Sequence, residues 1–243
     1  MAGFLLIVSD LIISFMWVWS GALIKVCARQ ILGLETQTKV EILKGVLSVL
    51  CMFFFAWLGK ISNGGSYNPL TVLPGAIFGS FSGFLFTMAG RIPAQVIGSI
   101  IGVQLIIQTF PEVGHGPRLN VDIHQGALTE GLLTFMIVVI SLGAYKSNAN
   151  SFFIKTWISS ISKLALHILG SDLTGGCMNP ASAMGWAYSR GDHITKEHLF
   201  VYWLAPLEAM LLGIWTFRLF VQPQKQQKQE KEEKANNKIT KSD

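Results

Sequence analysis

Two short stretches decide how this chain folds: Gly64-Gly65-Ser66-Tyr67-Asn68-Pro69-Leu70-Thr71 and Gly175-Gly176-Cys177-Met178-Asn179-Pro180-Ala181-Ser182. Five of the eight positions are identical or exchange one hydroxyl for another, and Leu70 against Ala181 keeps a sixth apolar. Asn before Pro is a helix-start signal with a mechanism. Asn is a strong N-cap, and Pro is tolerated at the first helical position, where its missing N–H has no partner to lose. Each Asn-Pro pair therefore opens a helix. The apolar runs behind them, Pro69–Phe81 and Pro180–Tyr188, cover only about half a membrane thickness at ~1.5 Å per residue.

Six longer apolar stretches surround these two: Gly3–Val26, Ile42–Leu58, Ala94–Phe110, Ala127–Ala144, Phe152–Leu169 and Leu199–Val221. A bilayer crossing takes about 20 residues, so each is a candidate span, the second, third and fifth on the short side. Composition agrees. The chain is 51% apolar and 14% charged, where a soluble domain carries about 25% charge, and its mean hydropathy is +0.47. The net charge of +5 does not point to nucleic acid, because much of the basic charge sits in loops and in the tail, as in membrane proteins. That tail, residues 222–243, holds six Lys against four acids and too little apolar surface to fold, so it is expected to be disordered behind a channel domain over 1–221. The first apolar run outlasts a signal-peptide core and shows no clear cleavage site, so it reads as a span. Cys27, Cys51 and Cys177 read as small buried hydrophobes. Trp17, Trp57, Trp157, Trp203 and Trp215 lie in or near spans, some at positions that suit the interface.

Non-helical backbone survives at membrane depth only when buried in protein or lining water. Two re-entrant half-helices therefore predict a cavity between them. The repeat reaches further, since Asp10-x-x-x-Ser14-Phe15 in the first span matches Glu130-x-x-x-Thr134-Phe135 in the fourth. A unit of three spans ends on the opposite side from its start, so its copy must sit upside down. The expected fold is an all-α membrane protein with six transmembrane helices and two half-helices, built from inverted repeats roughly over 1–111 and 127–221. The half-helix N-termini then meet near the midplane. Their dipoles present positive ends that repel cations, while the Asn68 and Asn179 amides offer donors to a passing oxygen.

Other polar residues carry less specific readings. Asp10 and Glu130 are ionisable groups inside spans and are expected to anchor the loops by accepting backbone hydrogen bonds. Glu208 in the last span faces either the bundle interior or a partner subunit. Lys163 either snorkels toward a helix end or faces the pore with His167, one turn away. Glu112, His115 and His124 have irregular spacing for a metal site. No nucleophile–base pair or phosphate-binding loop appears, so neither an enzyme nor a metal or cofactor is expected.

On the boxes Asn68-Pro69-Leu70 and Asn179-Pro180-Ala181, the acids Asp10 and Glu130 and the spacing between them, the chain resembles the major intrinsic protein (aquaporin) family over nearly its whole length. Within that family it resembles the plant small basic intrinsic proteins whose first box ends in Leu. The resemblance implies a right-handed six-helix bundle, a homotetramer with one pore per subunit, and the endoplasmic reticulum membrane. It also implies a selectivity filter of Ser48, His167, Gly176 and Ser182. Orthodox water channels have an aromatic where Ser48 stands and an Arg where Ser182 stands, so the two serines imply a wider, less charged filter. His167 has a second reading as a core histidine bonded to a backbone carbonyl. Leu70, in place of a small Ala, either shifts Asn68 or narrows the centre. The expectation is a passive channel for water and other small neutral solutes across an intracellular membrane; the alternative is an intramembrane scaffold with a weakly conducting or closed pore. With both termini in the cytosol, Lys60, Arg91, Lys146, Lys155, Arg218 and the tail are cytosolic, and the tail decides this orientation.

Overall fold

The computed structural model describes residues 2–28, 32, 36–114, 116–146 and 151–221. The expected tail and His115 lie outside the described residues. Eight principal helices follow one another: α1 (Ala2–Val26), α2 (Gln37–Ile61), α3 (Pro69–Ile77), α4 (Phe81–Thr109), α5 (Ile123–Lys146), α6 (Phe152–Gly170), α7 (Pro180–Arg190) and α8 (Lys196–Phe220). All but α3 and α7 are long and apolar enough to cross a membrane. No strand occurs among the described residues.

Polarity is distributed as a lipid environment demands. Leu50, Phe54, Leu128, Leu132, Ile168 and Leu212 point outward and are exposed, whereas Asp10, Ser14, Gln95, Ser99, Glu130 and Thr134 are fully buried. In lipid the outside can be as apolar as the core, and polar side chains turn inside, where most are bonded, although the Gln95 amide and the Thr134 hydroxyl have no partner among the described residues. Ser14, for example, donates to the Gln95 carbonyl at 2.7 Å and pairs with the Ser99 hydroxyl at 2.9 Å. Trp57, Trp157 and Trp215 are exposed on the outer surface. Trp17 instead turns inward, and Trp203 packs against the core around Met210 and Tyr202.

Several spans are longer than their apolar stretches suggest, α5 among them, which runs from Ile123 to Lys146. Helix α2 extends past both apolar ends, from Gln37 to Ile61, because a helix continues into the polar interface once its centre is committed. Helix α4 starts at Phe81, well before the expected Ala94, with the Ser80 hydroxyl accepting from Gly83 N at 3.1 Å. Pro93 stands inside it, where a Pro removes a helix bond and clashes with the turn before it. The chain absorbs it with a wider π-helical turn over Thr87–Arg91. Helix α8 does the same, with a π turn over Phe200–Leu204 ahead of Pro206. The half-helix boundaries also move. Helix α3 stops at Ile77, before Gly79, rather than reaching Phe81, and α7 runs on to Arg190, where Gly191 adopts the left-handed conformation and closes it.

The two halves repeat in packing as well as in sequence. Gly102 and Gly213 stand at equal distances after Asn68 and Asn179. Gly102 lies against the Phe15 carbonyl of α1, and Gly213 against the Phe135 carbonyl of α5. Phe15 and Phe135 are themselves matched positions of the repeat. Small residues let helices approach where lipid offers no hydrophobic drive to hold them together.

Candidate functional site

The site begins with the two half-helix N-termini. The Asn68 side-chain carbonyl accepts from Leu70 N at 3.0 Å, and that of Asn179 accepts from Ser182 N at 3.3 Å. Pro69 and Pro180 occupy the first helical turn behind them. The amide nitrogens then cross over: Asn68 Nδ2 donates to the Met178 carbonyl at 2.8 Å, and Asn179 Nδ2 to the Tyr67 carbonyl at 3.2 Å. The two boxes are thus stitched to each other by their capping residues. Each amide nitrogen carries two hydrogens, so this cross-link leaves one per Asn. Met178 supplies its carbonyl from a left-handed backbone conformation, φ 46°, which is uncommon for a residue with a side chain. Leu70 and Ala181 are buried. Leu70 packs with Val72, Leu73, Ile92, Met210 and Ile214, away from the two cavities described below.

Each loop ends on a buried carboxylate. Glu130 accepts from Cys177 N at 2.8 Å, Met178 N at 2.9 Å and the Thr174 hydroxyl at 2.7 Å. Asp10 accepts from Ser66 N at 2.6 Å and is also gripped by Arg91, through Nε at 2.6 Å and Nη2 at 3.0 Å. Arg91 Nη2 reaches on to the Gly64 carbonyl. In the second half Tyr202 holds the position equivalent to Arg91, counted from each Asn, and its hydroxyl donates to the Thr174 carbonyl at 2.8 Å. One loop is held by an ion pair and the other by hydrogen bonds to a carboxylate, with each bracing residue placed by a π turn.

Two cavities lie along the bundle, one of about 370 Å³ and one of about 290 Å³. The larger opens toward the end of the bundle where α1 and α6 finish. Ser48 of α2, His167 of α6, Gly176 of the second loop and Ser182 of α7 all line it. Sequence spacing alone scattered these four over three helices and a loop; the fold brings them to one cavity. His167 Nδ1 donates to the Gly176 carbonyl at 3.1 Å, so the ring has a backbone partner and still lines the cavity. Gly176 takes φ 51° and abuts the His167 backbone, leaving no room for a side chain. Lys25, Lys44 and Lys163 also line this cavity, and among the described residues no acidic side chain does. Cys51 and Cys177, expected as buried hydrophobes, are half-buried free thiols on the same wall; Cys27 is half-buried as well.

The smaller cavity lies toward the opposite end, lined by Phe55, Tyr67, Ser141, Tyr145, Lys155 and Ser160, among others. Lys163 borders both cavities. It faces inward rather than snorkelling, with its ammonium 4.6 Å from the Trp17 ring centroid and 5.0 Å from that of Tyr67. Glu208 is exposed on the outer side of α8, so of its two readings the bundle interior is ruled out. Residue reasoning passed over Arg91, Thr174 and Tyr202 as anchors. The repeat offset from the Asn residues pairs Arg91 with Tyr202 and was the available signal.

Six spans enclosing two re-entrant half-helices, capped N-terminus to N-terminus between two cavities, define a multi-spanning membrane channel. Residues 5–217 match the major intrinsic protein family, and the chain belongs to that family. A probable aquaporin SIP2-1 of Arabidopsis thaliana is 53% identical over 231 residues, covering 95% of this chain and 98% of that one. An aquaporin SIP2-1 of Oryza sativa subsp. japonica is 53% identical over 223 residues, 90% of this chain and 89% of that one. An aquaporin SIP1-1 of Zea mays is 34% identical over 225 residues, 88% and 91%. The fold is similar to that of an aquaglyceroporin from Plasmodium falciparum, with TM-score 0.68 at 17% identity over 91% of this chain and 98% of that one.

Proposed function

We propose that this chain is a passive channel for water and other small neutral solutes, seated in an intracellular membrane. The observation that carries the reading is the crossed pair of capping amides, Asn68 to Met178 and Asn179 to Tyr67, which fixes two positive helix ends together beside Met178 of the larger cavity and Tyr67 of the smaller. Such a junction disfavours cations and serves solutes that exchange hydrogen bonds with fixed donors. Names of the relatives agree, since all three are aquaporins.

Ser48, His167, Gly176 and Ser182 form the filter in this reading, and Asp10 and Glu130 are its loop anchors. Two serines in place of an aromatic and an Arg make the filter wide. The endoplasmic reticulum address, the cytosolic termini and the homotetramer follow from the resemblance to the plant small basic intrinsic proteins, and Glu208 then meets a neighbouring subunit. The inverted repeats over 1–111 and 127–221 belong to the same proposal.

The filter is tested with Ser182→Arg in reconstituted vesicles. Arg fills the space beside His167 and adds a charge, so glycerol and hydrogen peroxide flux should fall about tenfold or more relative to water flux. Unchanged flux of the larger solutes would sink the wide-filter reading. The second reading, a scaffold with a weakly conducting or closed pore, is favoured by one observation: the Trp17 and Tyr67 rings stack at 3.9 Å between the two cavities.

A further inference from the structure

The junction between the two cavities is made of a small set of side chains. Trp17 lines the larger cavity, Tyr67 lines the smaller, and Lys163 and Met52 line both. The Trp17 and Tyr67 rings lie parallel, 8° apart, at a centroid distance of 3.9 Å. That is van der Waals contact, so no solute passes between the rings. Phe55 closes the stack from the side, edge-on to Trp17 at 5.1 Å and to Tyr67 at 5.5 Å. The remaining route runs past the ammonium of Lys163, which lies at the rim of the stack, 4.6 Å from the Trp17 centroid and 5.0 Å from that of Tyr67, and donates to the Tyr67 hydroxyl at 3.4 Å.

The charge at this point is uncompensated. Among the described residues no carboxylate lies within ion-pair distance of Lys163, whereas Lys44 at the mouth is paired with Glu41 at 2.8 Å. The Tyr67 hydroxyl that accepts from it is neutral, so this hydrogen bond holds the ammonium without cancelling its charge. A bare cation held in a narrow, partly dehydrated passage repels other cations strongly. Its N–H donors still serve an uncharged oxygen.

We propose that Trp17, Tyr67 and Lys163 form the constriction of the pathway, and that Lys163 is its charge-selecting residue, taking the part of the fixed positive charge that Ser182 does not supply. The solutes it admits are small, neutral hydrogen-bond acceptors. Those it rejects are potassium, sodium and hydronium ions. This inference rests on the channel reading and adds the residues at which passage is decided. Tyr67 acts here through its ring, because its carbonyl is already engaged by Asn179 and survives any side-chain change.

The test uses the full chain and its variants in lipid vesicles, with osmotic shrinkage reporting water and a trapped dye reporting potassium or proton flux. Each variant is first shown to be monodisperse and helical. Lys163→Met should raise cation flux about tenfold or more over the unsubstituted protein, and Lys163→Arg, which keeps the charge, should restore exclusion. Tyr67→Ala should raise the water rate about threefold or more, the opening of a steric block. Cation exclusion by Lys163→Met as tight as before would overturn the charge role. A water rate unchanged in Tyr67→Ala would overturn the constriction. Either result, with water flux above empty vesicles, leaves the channel reading standing. No flux through any of the proteins overturns both.

Discussion

Arg91 and Asp10 are a pair whose worth depends on burial. Asp10 is fully buried, and a carboxylate taken out of water is tolerable only with its charge and lone pairs answered. Arg91 answers it with two bonds and braces Gly64 with a third. Arg91→Met should therefore cost about 3–5 kcal/mol, the range for stranding one partner of a buried ion pair, seen as a lower thermal midpoint in detergent. A midpoint within a degree or two of the unsubstituted protein would show that the Ser66 N–H alone satisfies Asp10. At this scale the sequence was legible wherever chemistry is local. Asn68-Pro69 and Asn179-Pro180 signal caps because the bond partners lie two or three residues on. Arg91 looked like an ordinary loop cation because its partner is distant in the chain. The Trp17–Tyr67–Lys163 set escaped for the same reason: its members share no motif, and only the bundle makes them neighbours.

At the scale of elements, apolar run length located every span and misplaced several ends. The difference is largest in α4. A Pro inside a helix removes a bond and crowds the turn before it, yet a π turn before Pro93 carries α4 through, as another before Pro206 does in α8. Residue type does not distinguish a break from a π turn, because the outcome depends on what the widened turn can bond. Here those turns carry Arg91 and Tyr202 to the loops. Helix crossings depend on backbone approach in a way run length does not reveal. Gly98 of α4 abuts the Leu11 carbonyl of α1 so closely that a Cβ would overlap it, whereas Gly143 of α5 has open space around it. Gly98→Ala should destabilise by about 1–3 kcal/mol through overpacking, while Gly143→Ala should gain up to about 1 kcal/mol from helix propensity. Thermal melts of the two variants side by side check the sign of each. Equal midpoints would mean that the α1–α4 crossing yields without cost.

Taken whole, the molecule buries Asp10 and Glu130, turns many apolar side chains outward, and spends those two carboxylates on its re-entrant loops. That arrangement has a use only if something polar crosses between the loops. In the proposed reading the cavities on either side meet at residues with donors to offer and a positive charge to repel cations, and Ser48 and Ser182, which line the larger cavity, leave its filter broad. The measurement that tests this most directly is the shrinkage rate, under an osmotic step, of lipid vesicles containing the purified chain. Vesicles holding the protein should shrink several-fold faster than empty vesicles of the same lipid. Shrinkage no faster than that of empty vesicles, for both the unsubstituted chain and Tyr67→Ala, would contradict the channel and leave the scaffold.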